Sequence, residues 1–269
     1  MEGIDAIVHL AAHAGVIPSI GNPRFDFEVN VLGTLNLLQA SVQKGINKFI
    51  FASSNAPLGD QEPPMNEDKV PRPLSPYGAG KLAGEGYCSA YHGSYGLKTV
   101  SLRFSNVYGP YSTHKGSVVA LFIKKAIEGK PLVIYGDGNQ TRDFLYVHDL
   151  CRAIHLILNP SILTLVFNPE SLPRNPKIWG QTFQIATGRE TTINIIAQKI
   201  KALVEKDTNQ KINIVYGDKR KGEIIRNCSD ITKARTFFGY SPTYDLDIGL
   251  ESTWNWFLKN INPINSITL

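Results

Sequence analysis

The run Ala6-Ile7-Val8-His9-Leu10-Ala11-Ala12 is almost continuously apolar, the pattern of a strand covered on both faces. Val31, Leu35, Leu38 and Val42 fall on one helical stripe, which predicts a helix over Asn30–Lys44 stopped at Gly45. Phe49-Ile50-Phe51-Ala52 predicts a second buried strand, ending in Ser53-Ser54-Asn55. Residues 56–76 are rich in proline and acids and predict a long loop of the kind that carries function. A helix is predicted over Pro76–Tyr95. It holds Gly78, Gly80, Gly84 and Gly86, each costing up to about 1 kcal/mol against alanine, so close approach to a neighbouring helix or ligand is expected. Thr99–Phe104 predicts the next strand.

Strand, helix, strand, helix, strand argues for an α/β fold with a parallel sheet. Beyond Gly109 the rhythm changes. Helices are predicted over Val118–Glu128, Asp149–Leu158, Ile193–Glu205, Ile231–Phe237 and Ile248–Leu258. Strands are predicted over Leu132–Tyr135, Gln181–Ala186 and Ile212–Tyr216. This mixed half reads as a smaller substrate-facing part. Residues 159–180 carry Pro160, Pro169, Pro173 and Pro176 and read as an irregular excursion.

Composition adds limits. The chain has 269 residues, 42% apolar and 19% charged, enough for a sizeable core and ordinary for a soluble globule. Its formal charge is +5, densest at Lys219-Arg220-Lys221. That run is either a solvated face or an attractor for a small anion such as a diphosphate. No nucleic-acid motif occurs, so nucleic acid is not expected as a partner. Cys88, Cys151 and Cys228 show neither metal nor disulfide spacing, which fits a reducing compartment. With no membrane-length apolar run and no signal-type N-terminus, a soluble cytoplasmic protein is expected.

Tyr77 and Lys81 lie four apart on the predicted helix and can address one small volume. A tyrosine ordinarily titrates near pH 10, so acting as a base near neutrality needs a shift of about 3 units, on the order of 4 kcal/mol. A nearby ammonium and a cationic ring would both favour the phenolate. Ser53-Ser54 ends a strand, where ligands bind in open α/β sheets. A hydroxyl there could bond the same substrate oxygen, or the serines could simply begin a turn.

A set of segments, in order and spacing, resembles the extended short-chain dehydrogenase/reductase family, above all its nucleotide-sugar 4-epimerases. They are Ile7-Val8-His9-Leu10-Ala11-Ala12, Asn30-Val31-x-Gly33-Thr34, Ala52-Ser53-Ser54, Ser75-Pro76-Tyr77-Gly78-x-x-Lys81, Leu102-Arg103-Phe104-x-Asn106-Val107-Tyr108-Gly109-Pro110, Tyr135-Gly136-Asp137-Gly138-x-Gln140-Thr141-Arg142-Asp143-Phe144 and Ala186-Thr187-Gly188. The resemblance implies a Rossmann-like parallel sheet over 1–108, joined by about 141–158 and 181–186. A substrate-binding part would take 109–140 and 187–269. It further implies Tyr77 as acid/base, Lys81 as the group that lowers its pKa and holds the nicotinamide ribose, and Ser54 as third catalytic residue. Ala11, Ala12, Asn30, Ser53 and Phe104 match positions near NAD, which is the implied cofactor. Asn106, Arg142 and Arg220 match contacts of a substrate diphosphate, and Ile134 and Tyr135 back the nucleotide base. Asn227 falls where the family tunes the room around the sugar C2 substituent. A UDP-sugar substrate and a homodimer are implied as partners.

Family dehydratases place an Asp-Glu pair after the catalytic hydroxyl residue, and decarboxylases keep a Glu there. This chain has Asn55-Ala56, so elimination lacks its proton donor and epimerisation at C4 is expected. Another oxidoreductase or dehydratase of the family, or a non-catalytic sugar-nucleotide-binding relative, are the alternatives. Leu58 stands where a Tyr is usual, beside Pro57. Neither G-x-x-G-x-x-G nor G-x-G-x-x-G follows an early strand, so the turn that holds the cofactor diphosphate is missing and the sheet is N-terminally truncated by the family's standard. The expectation is a fragment, one half of a split protein or a degenerate relative, inactive alone, with 4–12 as an unpaired apolar edge.

Overall fold

Parallel strands Ala6–His9, Lys48–Ser54, Lys98–Phe104 and Gln181–Ile185 lie side by side in that order, flanked by helices, in the Rossmann-like α/β manner. The computed structural model describes residues 3–159, 177–208, 210–219 and 224–261. Those residues form two compact units, 3–105 with 152–159, 177–186 and 229–241, and 106–151 with 187–208, 210–219, 224–228 and 242–261.

In the first unit, Phe49, Ile50, Phe51 and Ala52 are all buried, because both faces of Lys48–Ser54 are covered. Leu38, Phe49, Phe51, Cys88 and Leu97 pack together on one side. The first strand is shorter than its apolar pattern. It ends at His9, and Leu10 is 59% exposed. It pairs on one side only, with Lys48–Ser54, among the described strands. The helical region after it starts earlier than predicted. Val16–Gly21 and Pro23–Phe27 precede a wide turn, Glu28–Leu32, which runs into Gly33–Gln43. Asn22 starts the second of these by accepting from the Phe25 amide at 3.1 Å. The helix Pro76–Tyr95 has the predicted bounds. Ser75 Oγ accepts from the Gly78 amide, Pro76 opens the first turn, and Gly96 closes it in a left-handed conformation.

Two features cover the outer strand Gln181–Ile185. Glu67 accepts from the Gln184 amide at 2.7 Å. The helix Thr232–Phe238 sets Phe237 and Phe238 edge-on against Phe183, and the Tyr240 hydroxyl donates to Ala186 O. These contacts correct the sequence-based division. Residues 229–241 belong to the sheet unit because their aromatic residues close its edge. Residues 141–151 belong to the other unit, because Thr141–Arg142 pairs antiparallel with Thr191–Thr192 and Phe144–Tyr146 pairs parallel with Asn106–Tyr108. Most of the proline-rich stretch 159–180 lies outside the described residues.

The second unit also pairs Leu132–Tyr135 in parallel with Ile214–Gly217. Helices Val118–Ile127, Ile193–Thr208 and Leu246–Ile261 close over Phe122, Ile134, Ile200, Trp254 and Phe257. The Trp254 indole donates to Asp207 at 2.8 Å, which satisfies its polar edge. Among the described residues no helix is long and apolar enough to cross a membrane.

Candidate active site

The carboxyl ends of the three N-terminal strands and one face of the helix Pro76–Tyr95 carry the chemistry-bearing side chains of the first unit. Ser53 and Ser54 sit on opposite faces of their strand, as its two-residue period requires. Ser54 accepts from the Ala56 amide at 3.1 Å, and its hydroxyl hydrogen-bonds the Tyr77 phenol. Ser53 turns the other way and donates to Glu85 Oε1 at 2.5 Å. Glu85 is also clasped by its neighbour across the sheet face, Arg103, through Nε at 2.8 Å and Nη2 at 2.7 Å. The Ser53 hydroxyl, expected beside the cofactor, is therefore engaged in a buried ion pair.

Tyr77, Lys81 and Glu85 are spaced four apart and share one helix face. Lys81 is 3% exposed and donates to Ala52 O at 2.7 Å. Its ammonium lies 4.8 Å from the centre of the Phe51 ring and 5.8 Å from that of Tyr77. Burial draws Lys81 down to about 8, against the upward pull of Asp26 and Glu85. Burial pushes Tyr77 above its ordinary value. The Ser54 hydrogen bond works downward, and the Asp26 carboxylate adds to the rise. Lys81 is not among the groups that move Tyr77 here; its ammonium donates to Ala52 O and stands over the Phe51 ring.

The glycines of this helix are used within the unit. A Cβ at Gly78 would meet Ala56 O at 2.6 Å, and one at Gly84 would strike the Phe51 ring. At Gly86 a Cβ would meet nothing within 4 Å. Close approach therefore explains Gly78 and Gly84 but not Gly86.

Of the other residues placed near a cofactor, Ala11 is exposed, Ala12 and Phe104 are partly buried, and Asn30 is 2% exposed. Phe104 is the register partner of Ser54. Asn30 works as a clamp. Its Oδ1 accepts from the His13 amide and its Nδ2 donates to His13 O and to Asp26 Oδ1, all at 2.9 Å. Those bonds occupy both amide protons, so Asn30 shapes the loop after the first strand. His9, 5% exposed, bonds Thr34 Oγ1 at 3.0 Å, and burial together with the Lys81 charge takes it down to about 4.

Asn55 is buried, and its Nδ2 donates to Ser229 at 2.8 Å. The position following Ser54 thus holds a neutral amide tied into the fold.

In the second unit a cavity of about 200 Å³ has Asn106, Ser117, Ile134, Tyr135, Gln140 and Arg142 in its walls. Four of the six predicted substrate residues therefore line one space. Ser117 was not anticipated. It precedes the helix Val118–Ile127, whose first residues also border the cavity, and free amides at a helix start suit an anion. Gln140 donates to Tyr135 O at 2.9 Å, and Arg142 Nη1 donates to Thr141 O and Ile224 O. The strand bearing Arg142 is anchored by buried Asp143, which accepts from the Thr187 amide and hydroxyl and from the Gly188 amide. Asn227 is partly buried and is not part of the cavity wall. Arg220 lies outside the described residues.

Residues 1–162 match the profile of the NAD dependent epimerase/dehydratase family. A UDP-glucuronate 4-epimerase of Thermodesulfobacterium geofontis is 34% identical over 98% of this chain and 76% of its own length. A UDP-glucose 4-epimerase of Mycolicibacterium smegmatis is 32% identical over 94% of this chain and 76% of its own. The crystal structure of the Thermus thermophilus UDP-glucose 4-epimerase complex with NAD superposes with a TM-score of 0.80 at 32% identity, covering 96% of this chain and 79% of that one.

Proposed function

The chain belongs to the NAD-dependent epimerase/dehydratase family, and on that premise we propose that it inverts C4 of a UDP-sugar through a 4-keto intermediate. The observation that carries this reading is the pairing of two features at the end of one strand. Ser54 bonds the Tyr77 phenol, while the next residue, Asn55, is a buried amide tied to Ser229. An acid/base is present, and the acid that elimination of water needs beside it is not.

The donor set suits a nicotinamide ribose: Lys81 gives a proton to Ala52 O and has two more for hydroxyls, and the Tyr77 phenol lies on the same helix face. NAD, when bound, supplies the acceptor and then the donor of the C4 hydride. Tyr77 would take the proton of the sugar 4-hydroxyl as the C4–H bond breaks and return it to the 4-keto oxygen when hydride comes back on the other face. Ser54 would hold that oxygen, and the Lys81 ammonium would stabilise the phenolate. Arg142 and Asn106 would bind the substrate diphosphate, with Ile134 and Tyr135 behind the base. Residues 1–269 contain no glycine-rich dinucleotide turn, so turnover is proposed for the chain once such a turn is supplied.

Nuclear magnetic resonance of UDP-glucose incubated with NAD and a chimera carrying a relative's strand–turn–helix ahead of Met1 tests the reading. Appearance of UDP-galactose supports it, and no C4 inversion of any UDP-hexose rejects it. Asn227 would leave room for an N-acetyl group, so UDP-N-acetylglucosamine should turn over comparably. A strong preference for UDP-glucose would remove that part. A homodimer is proposed from the family resemblance. Sedimentation at a single monomer mass would contradict it.

A further inference from the structure

Asp26 is a buried carboxylate that none of the roles above uses. It sits in the helix Pro23–Phe27 and is 1% exposed. A carboxylate taken out of water needs hydrogen bonds or a counter-charge. Oδ1 accepts from His13 Nδ1 at 3.1 Å and from Asn30 Nδ2 at 2.9 Å. Oδ2 has no hydrogen-bond partner among the described residues. That oxygen is directed at the helix bearing Tyr77 and Lys81, at Gly80, where an added Cβ would stand 3.4 Å from it. A larger residue at 80 would push the two elements apart.

The neighbouring residue in that helix is the buried ammonium. Lys81 faces Asp26 from the helix Pro23–Phe27, His9 from the first strand, and Tyr77 and Glu85 on its own helix. From the strand Lys48–Ser54 it meets the Phe51 ring and Ala52 O. His9 carries no favourable charge for it. Glu85 is already neutralised by the two-pronged bond of Arg103. Glu28, close in sequence to Asp26, is turned outward to Arg24. Asp26 is the facing carboxylate with no cation bonded to its free oxygen.

We propose that Asp26 is a positioning residue of the Tyr77–Lys81 pair: its carboxylate, braced by His13 and Asn30 against Gly80, is the counter-charge that holds the buried Lys81 as an ammonium. Desolvation favours the neutral amine, and a facing negative charge opposes it. The same charge favours the phenol over the phenolate at Tyr77, so Asp26 keeps the pair as phenol plus ammonium until substrate and cofactor change the local charge. The Lys81 statement stands on the fold. Its part in the reaction rests on the function proposed above.

The test is a lysine titration followed by resonance in the full chain labelled at lysine Cε, with the Lys81 signal identified by its loss in Lys81→Arg. In the wild type the signal should titrate near pH 8. In Asp26→Asn it should titrate at lower pH, while Asp26→Glu should restore the midpoint towards the wild type. An unchanged midpoint in a folded Asp26→Asn overturns the proposal. Should Asp26→Asn not fold, the wild type decides: the Asp26 Cγ signal should step at the Lys81 midpoint and lose that step in Lys81→Met. No step there overturns the proposal as well. The readout needs no turnover, so the expected Lys81 shift together with no epimerase activity in the chimera that carries the glycine-rich turn would reject the function and leave this inference standing.

Discussion

Glu85 and Arg103 form a two-pronged ion pair at 2.8 and 2.7 Å with both side chains about 95% buried, and Ser53 adds a third bond to the same carboxylate. The pair fastens the middle of the Tyr77 helix to the strand Lys98–Phe104. Removing one partner leaves the other charge buried alone, which costs about 3–5 kcal/mol, whereas replacing both by apolar residues is often near neutral. Glu85→Gln or Arg103→Leu alone should therefore lose most of the chain's resistance to urea. Glu85→Leu with Arg103→Leu should recover most of it. Equal losses in the single and double variants would contradict the account.

His9 gives the acid dependence of stability. Its folded pKa is drawn to about 4 from an ordinary 6.5. Between those values the unfolded chain binds the proton and the folded chain does not. Stability from this group is therefore full above about pH 6.5 and falls as pH drops towards 4. Urea midpoints measured from pH 7 to 4 should show this slope, and His9→Gln should flatten it.

The glycines of the Tyr77 helix separate two roles. Gly84→Ala drives a methyl into the Phe51 ring and should cost about 1–3 kcal/mol. Gly86→Ala meets open space and should gain up to about 1 kcal/mol of helix stability. Thermal melts of the two variants should move in opposite directions.

The cavity of the second unit should bind UDP through Arg142. Losing a charge-assisted hydrogen bond costs about 1.5–3 kcal/mol, so Arg142→Ala should weaken UDP binding roughly tenfold to hundredfold by calorimetry. Unaltered affinity would place the nucleotide elsewhere.

Local signals made much of this legible from the sequence. Ser75, Pro76 and Gly96 mark the ends of the Tyr77 helix, and a four-residue spacing aligns Tyr77 with Lys81. Asn106 is well separated in sequence from Ile134, Tyr135 and Arg142, yet the resemblance grouped them and the cavity unites them. Other features rest on contacts that no local pattern encodes. Thr141–Arg142 and Thr191–Thr192 are too short to show a period. The His13–Asn30–Asp26 clamp joins residues through side-chain bonds across a turn. The Ser53 bond is of the same kind, because its partner Glu85 is a helix residue that nothing in the sequence links to it.

The most direct measurement follows UDP-glucose with NAD by proton resonance, using the chain completed by a glycine-rich turn, beside its Tyr77→Phe variant. The account predicts a mixture of UDP-glucose and UDP-galactose with C6 unchanged, and a rate about 10²–10⁴-fold lower without the phenol. Accumulation of a 4-keto-6-deoxy sugar, or full activity in Tyr77→Phe, would contradict it.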